Sequence, residues 1–182
     1  MVSAFNHGFV LLHQGIGLDA FNALTERKAV HAIYECCNSV TLARDLARGR
    51  AYDSHEALFR RADALLFSLS DEVVEQILDA CPHVGRRPGS TKSSAEQCSV
   101  WVDDAAVMGD LNEAVKAYSQ KFDTGFVMFV CGLDVADVRS AISDRLHNDA
   151  ETERKVVRNE LAKINRSRLE RMLGPEGGYH NW

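Results

Sequence analysis

The sequence predicts an all-α fold, a single-domain bundle of about seven to nine short helices. Apolar residues recur at three- and four-residue steps over most of the chain, which is the spacing of one helix face. Strand-like alternation of apolar and polar residues is nearly absent. Only three prolines occur, and two of them bracket one short irregular segment, residues 82–91.

The length suits one domain. A chain of 182 residues lies in the range of ~100–200 residues typical of a domain, and it can bury a core without disulfides or metal. We divide it into an N-terminal extension (residues 1–17), a helical domain (18–173) and a C-terminal tail (174–182). No run approaches the ~18 apolar residues of a membrane span, and the start lacks signal-peptide features. We therefore expect no membrane association and a cytoplasmic location.

Charge and cysteine content exclude several classes of function. The net charge of -5 argues against nucleic acid as a partner, because the phosphate backbone attracts basic proteins. The five cysteines are an odd number without paired C-x-x-C units, which argues against a zinc site and a secreted disulfide framework. Cys36 and Cys37 are expected to act as small apolar groups on a helix. No metal is expected.

Cap residues and apolar stripes set the predicted helix limits. Ser54 and Ser70 each precede an apolar stripe and predict a helix start. A longer helix is expected from Ser93 to about Tyr118. The apolar run 126–130 could form a buried strand, but no nearby segment offers it a partner. We interpret this run as the start of a buried helix.

One charged residue falls on an apolar stripe. Arg168 follows Ile164 at a four-residue step, on the face that also holds Val157 and Leu161. A guanidinium that faces the interior needs an anion, because burying an unpaired charge is costly. A side chain at the helix edge that reaches solvent also explains the pattern. Periodicity alone favours the helix-edge interpretation.

A second candidate is the segment Ser93–Glu96, which follows the irregular segment and opens a helix. S-x-x-E is the capping-box pattern, in which Ser93 caps the helix and Glu96 reaches back to the first turn. The alternative places the Glu96 carboxylate beside a pocket at the start of the helix. These residues by themselves favour the capping box.

A third candidate is Cys81, which ends an apolar helix face because Pro82 cannot continue the helix. A single buried cysteine is usually an unreactive core residue. His83, two residues later, is free to point elsewhere, and a thiol next to an imidazole could form an activated thiolate. The residues alone favour the unreactive core cysteine.

Taken in order, these fragments resemble the decarboxylases of 2-oxo-4-hydroxy-4-carboxy-5-ureidoimidazoline (OHCU), an enzyme family of urate breakdown in purine metabolism. That family carries H-P-x-I/L-G at a helix end, S-x-x-E-Q at the start of the next long helix and K-I-x-x-x-R-L near the C-terminus. The matching segments here are Cys81–Gly85, Ser93–Gln97 and Lys163–Leu169. Weaker matches to F-N-x-L, C-C-G-S, R-P-F-x-S, L-N-x-x-Y-x-x-K-F and R-L-x-N begin at Phe21, Cys36, Arg50, Leu111 and Arg145.

The resemblance implies a cofactor-independent decarboxylase that converts OHCU, a small heterocyclic substrate, to (S)-allantoin. Carried over residue by residue, Glu96 is the acid/base or orienting carboxylate, and Gln97 hydrogen-bonds the heterocycle or its ureido arm. Arg168 would grip an anionic oxygen through its planar guanidinium. Ser93 would cap the helix whose positive dipole end faces the site. Family members are often dimers, so a homodimer is an open expectation.

The sequence departs from the family at the acid–base position. Cys81 stands where the family has its catalytic histidine, and His83 occupies the variable position after the proline. A thiol titrates near ~8.5 and an imidazole near ~6.5, so proton transfer is the step most affected. Ala51 replaces a proline, and the segment Phe122–Phe126 replaces F-G-F-x-F.

Three hypotheses follow. The first is a decarboxylase of the urate pathway that tolerates cysteine. The second is a diverged enzyme of specialised metabolism that uses Cys81 as acid/base or nucleophile on another substrate. The third is a non-catalytic binding protein on the same scaffold. The retention of Glu96, Gln97 and Arg168 argues against the third, and the sequence favours decarboxylase-like chemistry.

Overall fold

The computed structural model of the protein describes residues 15–81, 84 and 100–175. Eight α-helices and no strand lie within these ranges, which confirms the predicted all-α fold. None of these helices combines the length and apolar character needed to cross a membrane. The helices are α1 (Leu18–Asn22), α2 (Glu26–Cys37), α3 (Val40–Arg48), α4 (His55–Ser68), α5 (Asp71–Asp79), α6 (Ala105–Phe122), α7 (Val135–Arg145) and α8 (Ala150–Leu173).

The chain forms two compact units. The first contains residues up to Val73 and those from Ala162 onward, and the second contains Val74–Leu161. The long helix α8 therefore contributes its first half to the second unit and its second half to the first. The division into an extension, a domain and a tail, predicted at residues 17 and 173, follows different limits and stays a prediction.

The first unit is built from α1 to α4 and the end of α8. Helix α2 packs on α3, and α3 packs on α4. Ser39 and Ser54 cap α3 and α4, accepting hydrogen bonds from Leu42 N (3.3 Å) and Ala57 N (3.1 Å). The predicted start at Ser54 is confirmed. The largest fully buried side chains of this unit are those of Phe21, Ile33, Leu42, Leu46, Leu58, Leu66 and Leu169.

The second unit is held by a buried ion pair between α7 and α8. Arg145 Nε donates to Glu153 Oε1 at 2.7 Å, and both side chains are buried. The Tyr118 hydroxyl of α6 donates to the same carboxylate oxygen at 2.6 Å, and Asn148 Nδ2 donates to the other oxygen at 2.8 Å. Arg145 and Asn148 are the R-L-x-N match, so that motif holds three helices together.

The run 126–130 is not the start of a helix, contrary to our expectation. Its backbone forms neither helix nor strand and lies between α6 and α7. Side chains replace the missing partner strand, since Arg145 Nη1 donates to Val127 O at 2.7 Å and Phe129 N donates to Glu160 Oε2 at 2.7 Å. Irregular backbone is stable here because side chains of other elements satisfy its polar groups.

The long helix predicted from Ser93 to about Tyr118 is also wrong in its extent. Residues 100–104 are not helical, and α6 begins at Ala105. Asp104 caps this start by accepting hydrogen bonds from Ala106 N (2.9 Å) and Val107 N (3.1 Å). A short acidic side chain in this role satisfies backbone donors that a continuing helix would otherwise use.

Two helices end in residues with left-handed backbone conformations. Asn38 follows α2 with φ 53°, and Asp123 follows α6 with φ 54°. Both stand where the family motifs C-C-G-S and F-G-F-x-F have glycine. The left-handed conformation is strained for most L-residues, but Asn and Asp tolerate it better than others because their short polar side chains bond locally. The two substitutions therefore preserve the helix ends.

We expect Asp123→Gly to be more stable than Asp123→Ala by about 1 kcal/mol, because only glycine enters the left-handed region without strain. The free energy of unfolding in urea, followed by far-UV circular dichroism, measures the difference. Glu113, an exposed position inside α6, is the matched control. There Gly should be less stable than Ala, and the same sign at both positions would contradict the assigned conformation.

We expect Glu153→Gln to destabilise the protein by about 3 kcal/mol or more at pH 7, because it leaves a buried guanidinium without its counter-ion. Burial by itself raises the pKa of Glu153, but hydrogen bonds from Tyr118, Arg145 and Asn148 hold it below the ordinary value. The pKa of Glu153 is therefore lower in the folded protein than in the unfolded chain, where it is about 4.3. Ionised Glu153 stabilises the folded protein at pH values above that unfolded pKa. The difference in the free energy of unfolding between wild type and Glu153→Gln should therefore shrink as the pH falls below 4.

Urea unfolding at a series of pH values measures this effect. Glu151, two residues earlier on the same helix, pairs with Lys155 at 2.8 Å on the surface. Glu151→Gln should change stability little, because exposed pairs are well solvated and contribute little. A Glu153→Gln protein as stable as wild type at neutral pH would show that the buried pair does not hold this unit.

Candidate active site

Arg168 lies in the interior of the first unit. Its side chain is only 5% exposed, so the helix-edge position favoured by periodicity is wrong. Arg168 Nη1 donates to the carbonyl oxygen of Cys36 at 3.1 Å. Cys36 belongs to the last turn of α2, whose carbonyls lack partners within the helix and carry the negative end of its dipole. The helix end thus fixes where the guanidinium lies.

Cys36 and Cys37 support this arrangement from α2. Both are buried, at 5% and 2% exposure, and act as the small apolar groups that the sequence predicts. The thiol of Cys36 lies 3.9 Å from Met172 Sδ, one turn beyond Arg168 on α8. The end of α2 therefore packs on the turn of α8 that carries Arg168, and this contact holds the arginine in place.

Cys81 is a buried thiol in the second unit. It is 8% exposed and follows α5, whose buried face is formed by Val74, Ile77 and Leu78. The helix ends at Asp79, two residues before the predicted end, and Cys81 N donates to Leu78 O at 3.0 Å in the closing turn. Cys81 forms no disulfide with the other described cysteines. Its burial on the apolar face agrees with the sequence pattern.

The other four predicted site residues lie outside the described residues. These are His83, Ser93, Glu96 and Gln97. The structure therefore describes two members of the predicted site, and they belong to different units: Arg168 to the first and Cys81 to the second. The roles of all six residues stay predictions.

A polar residue that the sequence analysis missed lies one turn before Arg168. Asn165 is 3% exposed, and its Nδ2 has no hydrogen-bond partner among the residues that the structure describes. The signal was present in the sequence, because Asn165 follows Leu161 by four residues and so interrupts the same apolar stripe as Arg168.

Arg166, between these two residues, has a different environment. Its guanidinium lies 5.1 Å above the ring of Phe59 and pairs with Glu56 at 3.1 Å. Glu56 and Phe59 also line an open cavity of about 520 Å³ in the first unit, which neither Arg168 nor Cys81 lines. The described residues contain no cluster of His, Cys, Asp and Glu side chains that could hold a metal ion.

Comparison with known proteins agrees with this architecture. The chain is 25% identical over 162 residues to the "Uric acid degradation bifunctional protein" of Bacillus sp. (strain TB-90). The match covers 86% of this chain but 32% of that protein, so the chain spans about a third of its relative's length.

Two solved structures share the fold. A crystal structure of OHCU decarboxylase in the presence of (S)-allantoin matches with a TM-score of 0.67 and 20% identity, covering 77% of this chain and 95% of the other. A crystal structure of (S)-allantoin synthase matches with a TM-score of 0.70 and 15% identity, covering 87% of this chain and 54% of the other. At these identities the likeness establishes the fold.

The family itself is established by sequence. The model of the OHCU decarboxylase family matches residues 22–170, which is most of the chain. The chain therefore belongs to the OHCU decarboxylase family.

Proposed function

We propose that the protein is a cofactor-independent decarboxylase that acts on OHCU or a closely related small heterocyclic carboxylate. Membership in the family supports a carbon–carbon lyase as the class of enzyme. The observation that carries the proposal is Arg168, a buried guanidinium within the K-I-x-x-x-R-L match. A guanidinium binds a carboxylate through its planar fork of donors, so an anionic substrate is a suitable ligand for Arg168.

The family reaction defines what the site must do. The bond between the ring carbon and the carboxylate breaks, CO2 leaves, and the electron pair enters the adjacent C=N system of the ring. A proton is then added to one face of the ring to give (S)-allantoin. Because the ring accepts the electrons itself, the protein has to bind, orient and protonate. No cofactor is required by this chemistry.

Arg168 is the proposed anion-binding residue. Its anchor on Cys36 O places the guanidinium before substrate arrives, and a donor that is already in place stabilises charge without reorganisation during the reaction. Glu96 and Gln97 are the proposed acid/base and heterocycle-binding residues, and Ser93 is the proposed cap of their helix.

Cys81 is the proposed acid–base group at the family's histidine position, with His83 as its neighbour in the chain. A buried thiol can hold or release one proton, as an imidazole can, but at a different pH. General acid–base catalysis contributes about 10²–10⁴-fold. We therefore expect a decarboxylase with a shifted pH profile. A diverged enzyme that uses Cys81 on another substrate is the alternative, and the first two experiments below separate the two.

A small heterocyclic molecule is the proposed partner. The cytoplasmic location and the homodimer expected from the sequence stay predictions, and oligomeric state can be read directly from light scattering of the purified protein.

We expect the wild-type protein to exceed the uncatalysed rate of (S)-allantoin formation by orders of magnitude. OHCU is generated in place from urate by urate oxidase and hydroxyisourate hydrolase, and the circular dichroism of (S)-allantoin is followed. Arg168→Lys should lower kcat/KM by about tenfold to a hundredfold, because an ammonium cannot replace a planar two-donor contact.

Arg154→Ala, at an exposed position of α8, is the control and should keep wild-type kinetics. Thermal unfolding of each variant establishes that it is folded. Full activity of a folded Arg168→Lys protein would show that Arg168 does not bind substrate.

We expect Cys81→Ala to lower kcat by about a hundredfold or more while KM changes little, because the thiol transfers a proton and does not bind substrate. Cys131→Ala removes an exposed thiol and should leave both constants unchanged. Cys81→His should move the pH optimum toward the titration range of imidazole.

The outcome with Cys81→His also tests the alternative function. A silent wild type with an active Cys81→His variant would mean that cysteine has redirected an intact pocket to other chemistry. A Cys81→Ala protein with wild-type kinetics would show that Cys81 takes no part in the mechanism and is an unreactive core residue.

A further inference from the structure

Asn165 is a buried polar residue that neither the packing of the core nor the proposed chemistry uses. Its side chain on α8 is 3% exposed, and Nδ2 is shielded from solvent without a hydrogen-bond acceptor among the described residues. A buried donor without an acceptor costs free energy, because it has lost its hydrogen bonds to water. Native proteins contain few such atoms, so this one needs an explanation.

The position of Asn165 beside Arg168 offers an explanation for this buried donor. The two residues are three apart on one helix, which makes them neighbours with Cβ atoms about 5–6 Å apart. Long side chains on a helix lean toward its N-terminus, and Asn165 lies on that side of Arg168. Both side chains are buried in the first unit. An anionic oxygen bound by Arg168 would therefore be within reach of the carboxamide.

The missing partner also leaves Nδ2 able to donate to a ligand, because it gives up no hydrogen bond when it does so. An amide donor to a charged oxygen makes a stronger hydrogen bond than one to a neutral acceptor. The buried Nδ2 of Asn165 therefore raises the free energy of the protein without ligand, and it lowers the free energy of the protein with a bound anion.

We propose that Asn165 is a second substrate-binding residue, whose carboxamide donates to the anionic group that Arg168 binds. The inference rests on the anion-binding role given to Arg168 in the proposed function. Asn165 occupies a variable position of K-I-x-x-x-R-L, so it adjusts specificity beyond what the shared motif provides. The ligand class is a small heterocyclic carboxylate, in which the carboxylate accepts from both side chains.

Asn165→Leu tests this, because leucine keeps a similar size and shape and removes the donor. The dissociation constant for orotate, a heterocyclic carboxylate, is measured by titration calorimetry, and kcat/KM for OHCU is measured as above. We expect both to weaken by about tenfold to a hundredfold, the effect of one charge-assisted hydrogen bond. Asn159→Leu, the same change at an exposed position of α8, should change neither.

The double variant Asn165→Leu/Arg168→Gln separates direct binding from an indirect effect. If both side chains hold one anion, the double variant binds orotate about as weakly as Arg168→Gln alone, because effects of residues that share a partner are not additive. If the two substitutions instead weaken orotate binding independently, so that their fold-changes multiply in the double variant, the two side chains do not share one anion and the proposal is wrong.

The remaining outcomes are equally decisive. Asn165→Leu that raises the melting temperature but binds orotate like wild type would overturn the proposal, since the asparagine would then be only a buried defect. Wild-type protein that fails to bind orotate at millimolar concentration would overturn it too. Wild type that binds orotate through Asn165 but does not decarboxylate OHCU would remove the proposed function and leave this inference standing.

Discussion

The second unit depends on one buried ion pair. Arg145 and Glu153 join α7 to α8, and the same two charges recruit the hydroxyl of Tyr118 on α6. Burial raises the pKa of Tyr118, so its hydroxyl stays protonated and donates to the carboxylate. Arg145 also donates to the carbonyl oxygen of Val127 and so holds the irregular run 126–130 in place. Such a network is stable only when all its members are satisfied.

Two aromatic side chains of this unit, Tyr118 and Phe126, pack on the same guanidinium. The ring of Phe126 lies 4.6 Å from the guanidinium carbon of Arg145 and meets Tyr118 edge-on at 5.0 Å. A cation over an aromatic face is attracted by the ring quadrupole, and more strongly away from water. The run 126–130 is thus held both by its backbone and by its side chains, which explains how a segment with strand-like composition persists among helices.

Helix α8 links structural and proposed chemical roles in one element. Its first half carries Glu153 and Glu160, which satisfy groups of the second unit, and its second half carries Asn165 and Arg168 in the first. Polar residues on the apolar stripe therefore have two different explanations. Glu153 and Glu160 complete hydrogen bonds of the fold itself, whereas Asn165 Nδ2 has no such partner among the described residues. In our proposal, the anionic group of the ligand is the hydrogen-bond partner of Asn165 Nδ2.

The sequence by itself determined the helical class, the starts of α4 and α5, and the family, because periodicity, caps and ordered motifs are local signals. It also placed Arg168 on an apolar stripe, but not whether the guanidinium is buried, which depends on the end of α2 132 residues earlier in the chain. The run 126–130 was misjudged for the same reason: its partners are side chains of α7 and α8, not a neighbouring strand. Local patterns report which face is apolar, whereas long-range contacts decide how buried polar groups are satisfied.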